Sequence, residues 1–528
     1  MKKIKIDGES LKLEQIIDVA RNFTPIFLSE HAIKNIEISR KCVEDIIDND
    51  HTVYGINTGF GSLKNKKISR NKLRNLQRNL ITSHSAGVGN YLPIEVVRAI
   101  MLLRINSLAK GFSGIRLLTV QTLVEMLNKK VHPAVPEQGS VGASGDLAPL
   151  SHIMLVLSRD QNDDGEEYSG FVINKEKNNR EEKILKTTCG YEAMKKAGIR
   201  RIVLEPKEGL ALNNGTNVMT AITALAIYDA EILAKNSTHI FTASLEALLG
   251  VSDAFYDPIH KFRNMVQQRE VAKQIRKNFR GSKLIDSDKK SVQNSYSLRC
   301  FPQVAGPIKA TIDWAKKIIH SEINAVTDNP LIFPESNRTI KAYSGGNFHG
   351  EPIALISDYL KIALSELGSI SERRTYKLTS KYHNNGLPSM LSQEPGLNSG
   401  LMLMQYTAAS LVSENKVIAH PASVDSIPTS ENIEDHVSMG TIASRQFRQI
   451  LENVRKILAI EYIAACQALD LRLQKINNQQ KLEAKQIMGS KTYEIYNKLR
   501  SEGVKFWGKD RVANLDIERC QEILKEKI

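Results

Sequence analysis

A mainly α-helical protein with a bundle of long helices at its centre is predicted by three features of the sequence. Long segments repeat apolar residues with the 3.6-residue period of a helix, while period-two alternation is confined to the first few residues. The 528 residues, 41% hydrophobic and 25% charged, have the composition of a globular protein with a large core. That length exceeds what one simple core usually holds, so sub-domains or one elongated helical body are expected. Along the chain, the pattern divides into a smaller, loop-rich N-terminal part at 1–200, a central helical bundle at 201–476 and a charged helical tail at 477–528.

The opening alternation from Lys3 to Ile6, followed by Asp7-Gly8, reads as a short strand and turn, with helices over Leu11–Arg21 and Ser29–Asp48. Val53 to Gly61 is a loop with three glycines and few helix formers, mobile enough to serve as a lid. A helical pattern runs from Ile94 to Lys129, broken at Gly111-Phe112-Ser113-Gly114. The charged stretch from Arg159 to Lys186 reads as a solvated surface loop. Asn213-Asn214-Gly215-Thr216 opens a long apolar segment reaching about Leu249, where an Asn would ordinarily act as an N-cap. Helical patterns follow at Val304–Val326, Glu351–Lys381 and Ser399–His420, and again up to about Leu473. Glu434 and Asp435 read as acidic residues answering a helix macrodipole, and the tail beyond 476 as helices packed on the outside.

One stretch carries chemistry of its own. In Gly139-Ser140-Val141-Gly142-Ala143-Ser144-Gly145-Asp146-Leu147-Ala148-Pro149-Leu150-Ser151-His152, the tripeptide Ala143-Ser144-Gly145 is able to react with itself. If a compressed turn sets the Gly145 nitrogen on the Ala143 carbonyl carbon, the ring closes with loss of one water, and a second leaves from the Ser144 side chain. The product is a methylidene-imidazolone with an electrophilic C=CH2. Ala143 is small enough to allow closure, Ser144 supplies the leaving hydroxyl, and Gly145 has no Cβ to obstruct the turn.

The whole string resembles the signature of the aromatic amino acid ammonia-lyase family. That resemblance implies a fumarase/aspartase-like helical architecture, a methylidene-imidazolone (MIO) group formed autocatalytically from Ala143-Ser144-Gly145 with no external cofactor, and a homotetramer whose active sites combine loops from three subunits. It continues in Val53-Tyr54-Gly55-Ile56-Asn57-Thr58-Gly59-Phe60-Gly61, where Tyr54 matches the base that removes a β-proton. A phenol near its reference pKa of about 10 is a poor base at neutral pH, so cationic or helix-dipole neighbours are expected to lower it. Ser83-His84 matches the pair found in histidine-specific members, with His84 reading the substrate. Asn214 matches a residue that holds the substrate carboxylate or the electrophile's carbonyl oxygen; Asn213 replaces a common leucine and could alter the polarity beside the site.

In Gln293-Asn294-Ser295-Tyr296-Ser297-Leu298-Arg299, the resemblance places Gln293, Tyr296 and Arg299 in the pocket, Tyr296 among the catalytic residues and Arg299 on the α-carboxylate. Arg299 has the planar fork suited to that task, and Tyr296 and Arg299, three apart, share a face if the turn is helical. Asn294-Ser295 departs from the family's usual Asp-Pro, which leaves the rigidity of that loop open. Phe348, in Ser344-Gly345-Gly346-Asn347-Phe348-His349-Gly350, matches an aromatic near the electrophile, and Met402 a residue near the substrate ring. Glu434 stands where histidine-specific members carry glutamate and phenylalanine or tyrosine lyases tend to carry glutamine. A carboxylate suits an imidazole N–H and would be poorly placed against a benzene ring.

The activity implied is non-oxidative deamination of L-histidine, the first step of histidine degradation; tyrosine or phenylalanine deamination, or a 2,3-aminomutase using the same electrophile, is the alternative. From another class, a catalytically silent structural relative would leave the tripeptide unmodified. The net charge of +14 is spread along the chain among acidic residues, so no nucleic-acid partner is expected. The five cysteines are far apart and form no CxxC pair, suggesting neither a disulfide framework nor a metal site. The N-terminus has basic residues but no apolar core of signal-peptide length, and the apolar run near Val218–Leu233 is interrupted by Asp229 and Glu231. A soluble cytoplasmic protein without a membrane span is expected.

Overall fold

A computed structural model describes residues 3–162, 168–177, 183–334, 340–480 and 482–528. The chain forms two compact units that interleave along the sequence, and so divide it differently from the sequential parts at 1–200, 201–476 and 477–528. Unit 1 comprises Met1–Leu225, Lys316–Asp358 and Pro421–Arg445; unit 2 comprises Ala226–Ala315, Tyr359–His420 and Gln446–Ile528. The mainly helical fold is as expected, with long helices at Asn217–Ala247, Phe301–Glu322, Glu351–Thr379, Met402–Ile418 and Gly440–Gln480.

In unit 1 the predicted first strand, Ile4–Ile6, pairs in parallel with Ile26–Leu28. The helix Glu30–Asp48 starts where Ser29 Oγ accepts the Ala32 N–H at 3.1 Å, a conventional N-cap. The break at Gly111–Gly114 separates helices Ile94–Ala109 and Leu117–Asn128. The first is buried on all sides except at Glu95, so its apolar residues form the core of the unit; each Leu or Ile so enclosed contributes about 1.5–3 kcal/mol. Arg104, on that helix, has no exposed surface and donates from Nε to the Ala211 carbonyl at 3.0 Å and from Nη1 to the Thr327 carbonyl at 2.8 Å. Carbonyls that would otherwise be buried without donors are thereby satisfied. The helix Leu73–His84 packs against Leu147–Leu157 and Glu208–Asn213. These three helices place His84, the reactive tripeptide and Asn214 around one space.

The stretch Arg159–Lys186 departs from its expected character. Phe171–Lys177 and Lys183–Cys189 form an antiparallel ladder, and Ile173 packs with Ile94 and Ala134. The Phe171 carbonyl accepts from Ala134 N at 2.7 Å, and Ile173 N donates to the His132 carbonyl at 2.8 Å. The strand pattern is hidden because the apolar residues Phe171 to Ile173 run together and Lys175-Glu176-Lys177 follow as a block, with no period-two alternation. Residues 163–167 and 178–182 of that stretch lie outside the described residues, as do 1 and 2 of the N-terminus.

Unit 2 is held by a network among four helices. Phe241 stacks on Phe301 with centroids 4.2 Å apart, and the Arg374 guanidinium lies 5.3 and 5.0 Å from the two rings. Arg374 forks onto Glu461, with Nη2 2.7 Å from Oε2, while Ser244 and Ser371 hydroxyls also donate to that carboxylate. Satisfying every lone pair is what makes a buried ion pair tolerable. Residues 477–528 are not a separate outer tail: Ile495, Leu499, Val504, Trp507 and Cys520 are buried within unit 2. Asn217–Ala247 is the one helix among the described residues long and apolar enough to cross a bilayer, and 78% of its most apolar window is buried.

Glu246, in unit 2, accepts from Gly489 N at 3.0 Å and Thr492 Oγ1 at 2.7 Å, yet burial raises its carboxyl to about 7. Between its ordinary value of 4.5 and about 7 the folded state binds the extra proton, so stability falls as pH rises through that window. Glu246→Gln is expected to remove that fall, worth on the order of 3 kcal/mol between about pH 4.5 and 7. Thermal unfolding of both proteins across that window checks this; parallel curves would contradict it.

Candidate active site

The helix Leu147–Leu157 is preceded by a turn that carries the predicted electrophile and is held at Ser144, Gly145 and Asp146. Gly145 has φ +71°, and a Cβ there would lie 2.4 Å from the carbonyl carbon and oxygen of Gly215. Only glycine fits that approach. Asp146 N donates to the Gly215 carbonyl at 2.7 Å, and Asn214 Nδ2 donates to the Ser144 carbonyl oxygen at 2.7 Å. Asn214 is therefore no N-cap: its side chain is committed to the tripeptide.

The cap of Asn217–Ala247 comes instead from Asp146, whose Oδ2 accepts Val218 N and Met219 N, both at 2.9 Å. Its other oxygen accepts from Ser140 Oγ at 3.0 Å and from Thr441 Oγ1. Burial raises the Asp146 carboxyl above its usual range while these donors pull it down. The helix dipole and four donors anchor the C-terminal side of the reactive turn. Sequence reasoning gave Asp146 no role; its position directly after Gly145 was the available signal.

A cavity of about 870 Å³ in unit 1 opens over this turn. It is lined by Ala143 and Ser144, by Tyr54 and His84, and by Asn214, Phe348 and Glu434. Residues as distant in sequence as Tyr54 and Glu434 thus meet at Ser144. Gln293, Tyr296, Arg299 and Met402 belong to unit 2. There Tyr296–Arg299 is a single helical turn, as its spacing suggested, with the guanidinium 4.7 Å from the Tyr296 ring centroid and Arg299 Nη1 donating to Gln293 Oε1 at 2.7 Å. The replacement Asn294 clamps its loop through Oδ1 accepting from Val251 N at 2.9 Å and Nδ2 donating to the Val251 carbonyl at 2.6 Å.

Glu434 stands in a loop before the helix that begins at Gly440, so the helix-start reading is corrected. Thr429 and Glu434 exchange backbone hydrogen bonds of 2.9 and 3.3 Å, closing a turn in which Ser430, Glu431 and Asn432 all have positive φ. Thr429 Oγ1 donates to Glu434 Oε2 at 2.8 Å, leaving Oε1 to receive the Ser144 hydroxyl at 2.5 Å. Thr429 is a second residue that the motif reading missed.

The lid loop owes two glycines to geometry. Gly55 and Gly61 have φ +73° and +54°, and a Cβ on Gly61 would lie 2.6 Å from Ser430 Oγ. The Gly61 N–H donates to the Tyr54 hydroxyl at 3.4 Å. The expected lowering of the Tyr54 phenol does not occur within this chain: burial raises it, nearby Glu434 raises it further, and the Gly61 N–H only opposes them. His84, at the C-terminal end of its helix, contacts Ser83 Oγ through Nδ1 at 3.1 Å, and burial lowers its imidazole, keeping it neutral. Asn213 is fully buried and donates to Ser151 Oγ at 3.1 Å, tying two helices together and leaving the cavity's polarity to others.

Residues 11–501 match the profile of the aromatic amino acid lyase family. The chain belongs to that family. This aromatic amino acid lyase is 48% identical over 527 residues to a histidine ammonia-lyase of Caldanaerobacter subterraneus subsp. tengcongensis, with 99% of this chain and 97% of the relative covered. Its structure matches that of histidine ammonia-lyase from Trypanosoma cruzi with a TM-score of 0.86 and 38% identity, over 99% of this chain and 93% of the other. Pantoea agglomerans phenylalanine aminomutase matches with a TM-score of 0.88 and 30% identity over 100% of both chains. The lyase has the helical, fumarase-like fold shared by these structures. Since that fold carries ammonia-lyases and an aminomutase alike, the substrate must be argued from the cavity.

Proposed function

We propose that this lyase deaminates L-histidine to trans-urocanate and ammonia, using a methylidene-imidazolone matured from its own Ala143-Ser144-Gly145. The observation that carries the substrate is the Glu434 carboxylate, fixed by Thr429 and facing the cavity beside Ser144. A charged acceptor there matches an imidazole N–H and would be left unpaired against a phenyl ring. The 48% identity to a histidine ammonia-lyase supports the same reading.

The tripeptide fits such a group: a glycine where a Cβ would collide, and an amide N–H on the Ser144 oxygen that becomes the ring carbonyl. Once formed, the group supplies an electrophilic carbon that turns the substrate amine into a better leaving group. Tyr54 takes the β-proton, whose electron pair becomes the new C=C bond as the C–N bond breaks. Neutral His84 and Glu434 exchange hydrogen bonds with the imidazole and fix its rotation, and Phe348 walls the cavity. Asn214 holds the ring oxygen where negative charge accumulates.

Gln293, Tyr296, Arg299 and Met402 complete the pocket from neighbouring copies in a homotetramer, with Arg299 gripping the α-carboxylate; the family resemblance supports this part. A cation arriving in that way is what the raised Tyr54 phenol requires. The cytoplasm is the proposed location, in keeping with five free cysteines.

Incubation with L-histidine, L-tyrosine and L-phenylalanine in turn should yield urocanate absorbance from the first alone. Coumarate or cinnamate as the main product would overturn the assignment. His84→Ala is expected to lower kcat/KM for L-histidine roughly 3- to 10-fold, the loss of one neutral hydrogen bond. The effect should fall on KM more than kcat, because the contact exists before and during the reaction.

A further inference from the structure

Glu434 lines the cavity on a long side chain that, left to itself, would spread its carboxylate over many positions at the wall. The turn behind it selects one. Thr429 Oγ1 donates to Oε2 at 2.8 Å, so turning the carboxylate about its last bond breaks that contact. The backbones of Thr429 and Glu434 exchange hydrogen bonds of 2.9 and 3.3 Å, which sets the hydroxyl opposite the carboxylate. Between them Ser430, Glu431 and Asn432 have φ of +52°, +54° and +63°, successive non-glycine residues in the left-handed region. Such a run persists only where its surroundings over-determine it, and residues held in this way cluster at ligand sites.

We infer that Thr429 is the positioning residue that sets the substrate range of this lyase: by occupying Oε2 it dedicates Oε1 to the cavity, where Oε1 accepts the imidazole N–H. This rests on the reading that Glu434 pairs with the imidazole of the substrate. In the structure Oε1 receives the Ser144 hydroxyl at 2.5 Å, so the clamped carboxylate already presents this oxygen to a donor inside the cavity. Maturation of Ala143-Ser144-Gly145 takes that hydroxyl away and leaves Oε1 for the substrate.

The clamp acts on the wrong ligand as well as on the right one. A carboxylate oxygen held in place gives its full hydrogen bond to an N–H and is desolvated without a partner beside a phenyl edge. Freed from Thr429, the carboxylate rotates out of the path of an apolar ring, and the penalty against that ring falls. Restoring the contact to an imidazole then requires the side chain to be ordered again, which weakens the correct ligand.

The test reads binding in place of turnover. Urocanate and cinnamate share one propenoate and differ in the ring, so the ratio of their dissociation constants, measured by calorimetry, reports how the ring is read. Wild type should bind urocanate more tightly. Thr429→Val, which keeps the volume of threonine and removes the hydroxyl, should cut the preference roughly 3- to 10-fold, the effect of one positioned hydrogen bond, with weaker urocanate and equal or tighter cinnamate. Thr429→Ser, which keeps the donor, should retain the preference. In a Glu434→Ala background Thr429→Val should leave the ratio unchanged, since Thr429 acts through that carboxylate. An undiminished ratio in Thr429→Val, equal weakening of both ligands in it, or a further change in the Glu434→Ala background overturns the inference and leaves the reading of Glu434 standing. If circular dichroism shows Thr429→Val unfolded, Thr429→Ala takes its place and is judged by the same outcomes. Equal affinity of wild type for urocanate and cinnamate overturns the reading beneath.

Discussion

Ser144→Ala is expected to reduce turnover of L-histidine by ~10³-fold or more, beyond the cost of removing one hydrogen-bond donor from an active site. The reasoning is chemical. The β-hydrogen of histidine is barely acidic and its amine leaves poorly, and no other side chain lining the cavity supplies an electrophilic carbon. Alanine occupies the same volume without the hydroxyl, and Ser144 contributes little to packing besides its bond to Glu434. The variant should therefore fold like wild type, with unchanged helical content, and still bind substrate through His84, Glu434 and the carboxylate-binding groups. Steady-state rates with L-histidine, alongside binding of an unreactive analogue, separate lost chemistry from lost structure. Wild-type turnover in this variant would be incompatible with the proposed electrophile.

Tyr54→Phe should lower kcat by ~10²- to 10⁴-fold, the usual contribution of a positioned general base, with KM little changed. The phenol is half-buried, at the cavity wall, and among the described residues its hydrogen-bond donor is Gly61 N at 3.4 Å. Removing the hydroxyl leaves the ring's packing intact and unsatisfies one weak donor. Burial and Glu434 both raise this phenol, so in wild type the fraction ionised, and with it kcat/KM, should climb tenfold per pH unit below its pKa. Tyr54→Phe should flatten that climb. A pH profile of kcat/KM for both proteins checks this, and an unchanged slope in the variant would assign the base elsewhere. A cation from a neighbouring subunit would move the climb to lower pH; Arg299→Gln should move it back.

Much of the site was legible because its chemistry lies in short contiguous strings. Ala143-Ser144, Ser83-His84 and Glu434 were singled out by residue type and motif, and all of them line the one cavity. Helices such as Glu30–Asp48 and Met402–Ile418 were legible from apolar periodicity because each buries one face. Other features depend on partners far away in sequence. Asp146 looked like part of a motif, yet its work is to cap a helix 72 residues on and to bind Thr441. Thr429 acquires a role only because a run of positive-φ residues folds it back onto Glu434. The ladder Phe171–Lys177 with Lys183–Cys189 was not legible, since its apolar residues and its charges each run together and show no period-two alternation. The environment of Tyr54 could not be read from composition: whether a phenol is raised or lowered depends on which charge the fold sets beside it, and within this chain that charge is Glu434.

The central claim is that this backbone condenses with itself to make an electrophile. It is tested most directly by the mass of the wild-type peptide spanning 139–152, isolated from active protein. The account predicts a peptide lighter than its sequence by two waters, with the deficit mapped to Ala143-Ser144-Gly145. An active protein whose peptide has the full unmodified mass, with Ser144 intact, would contradict it.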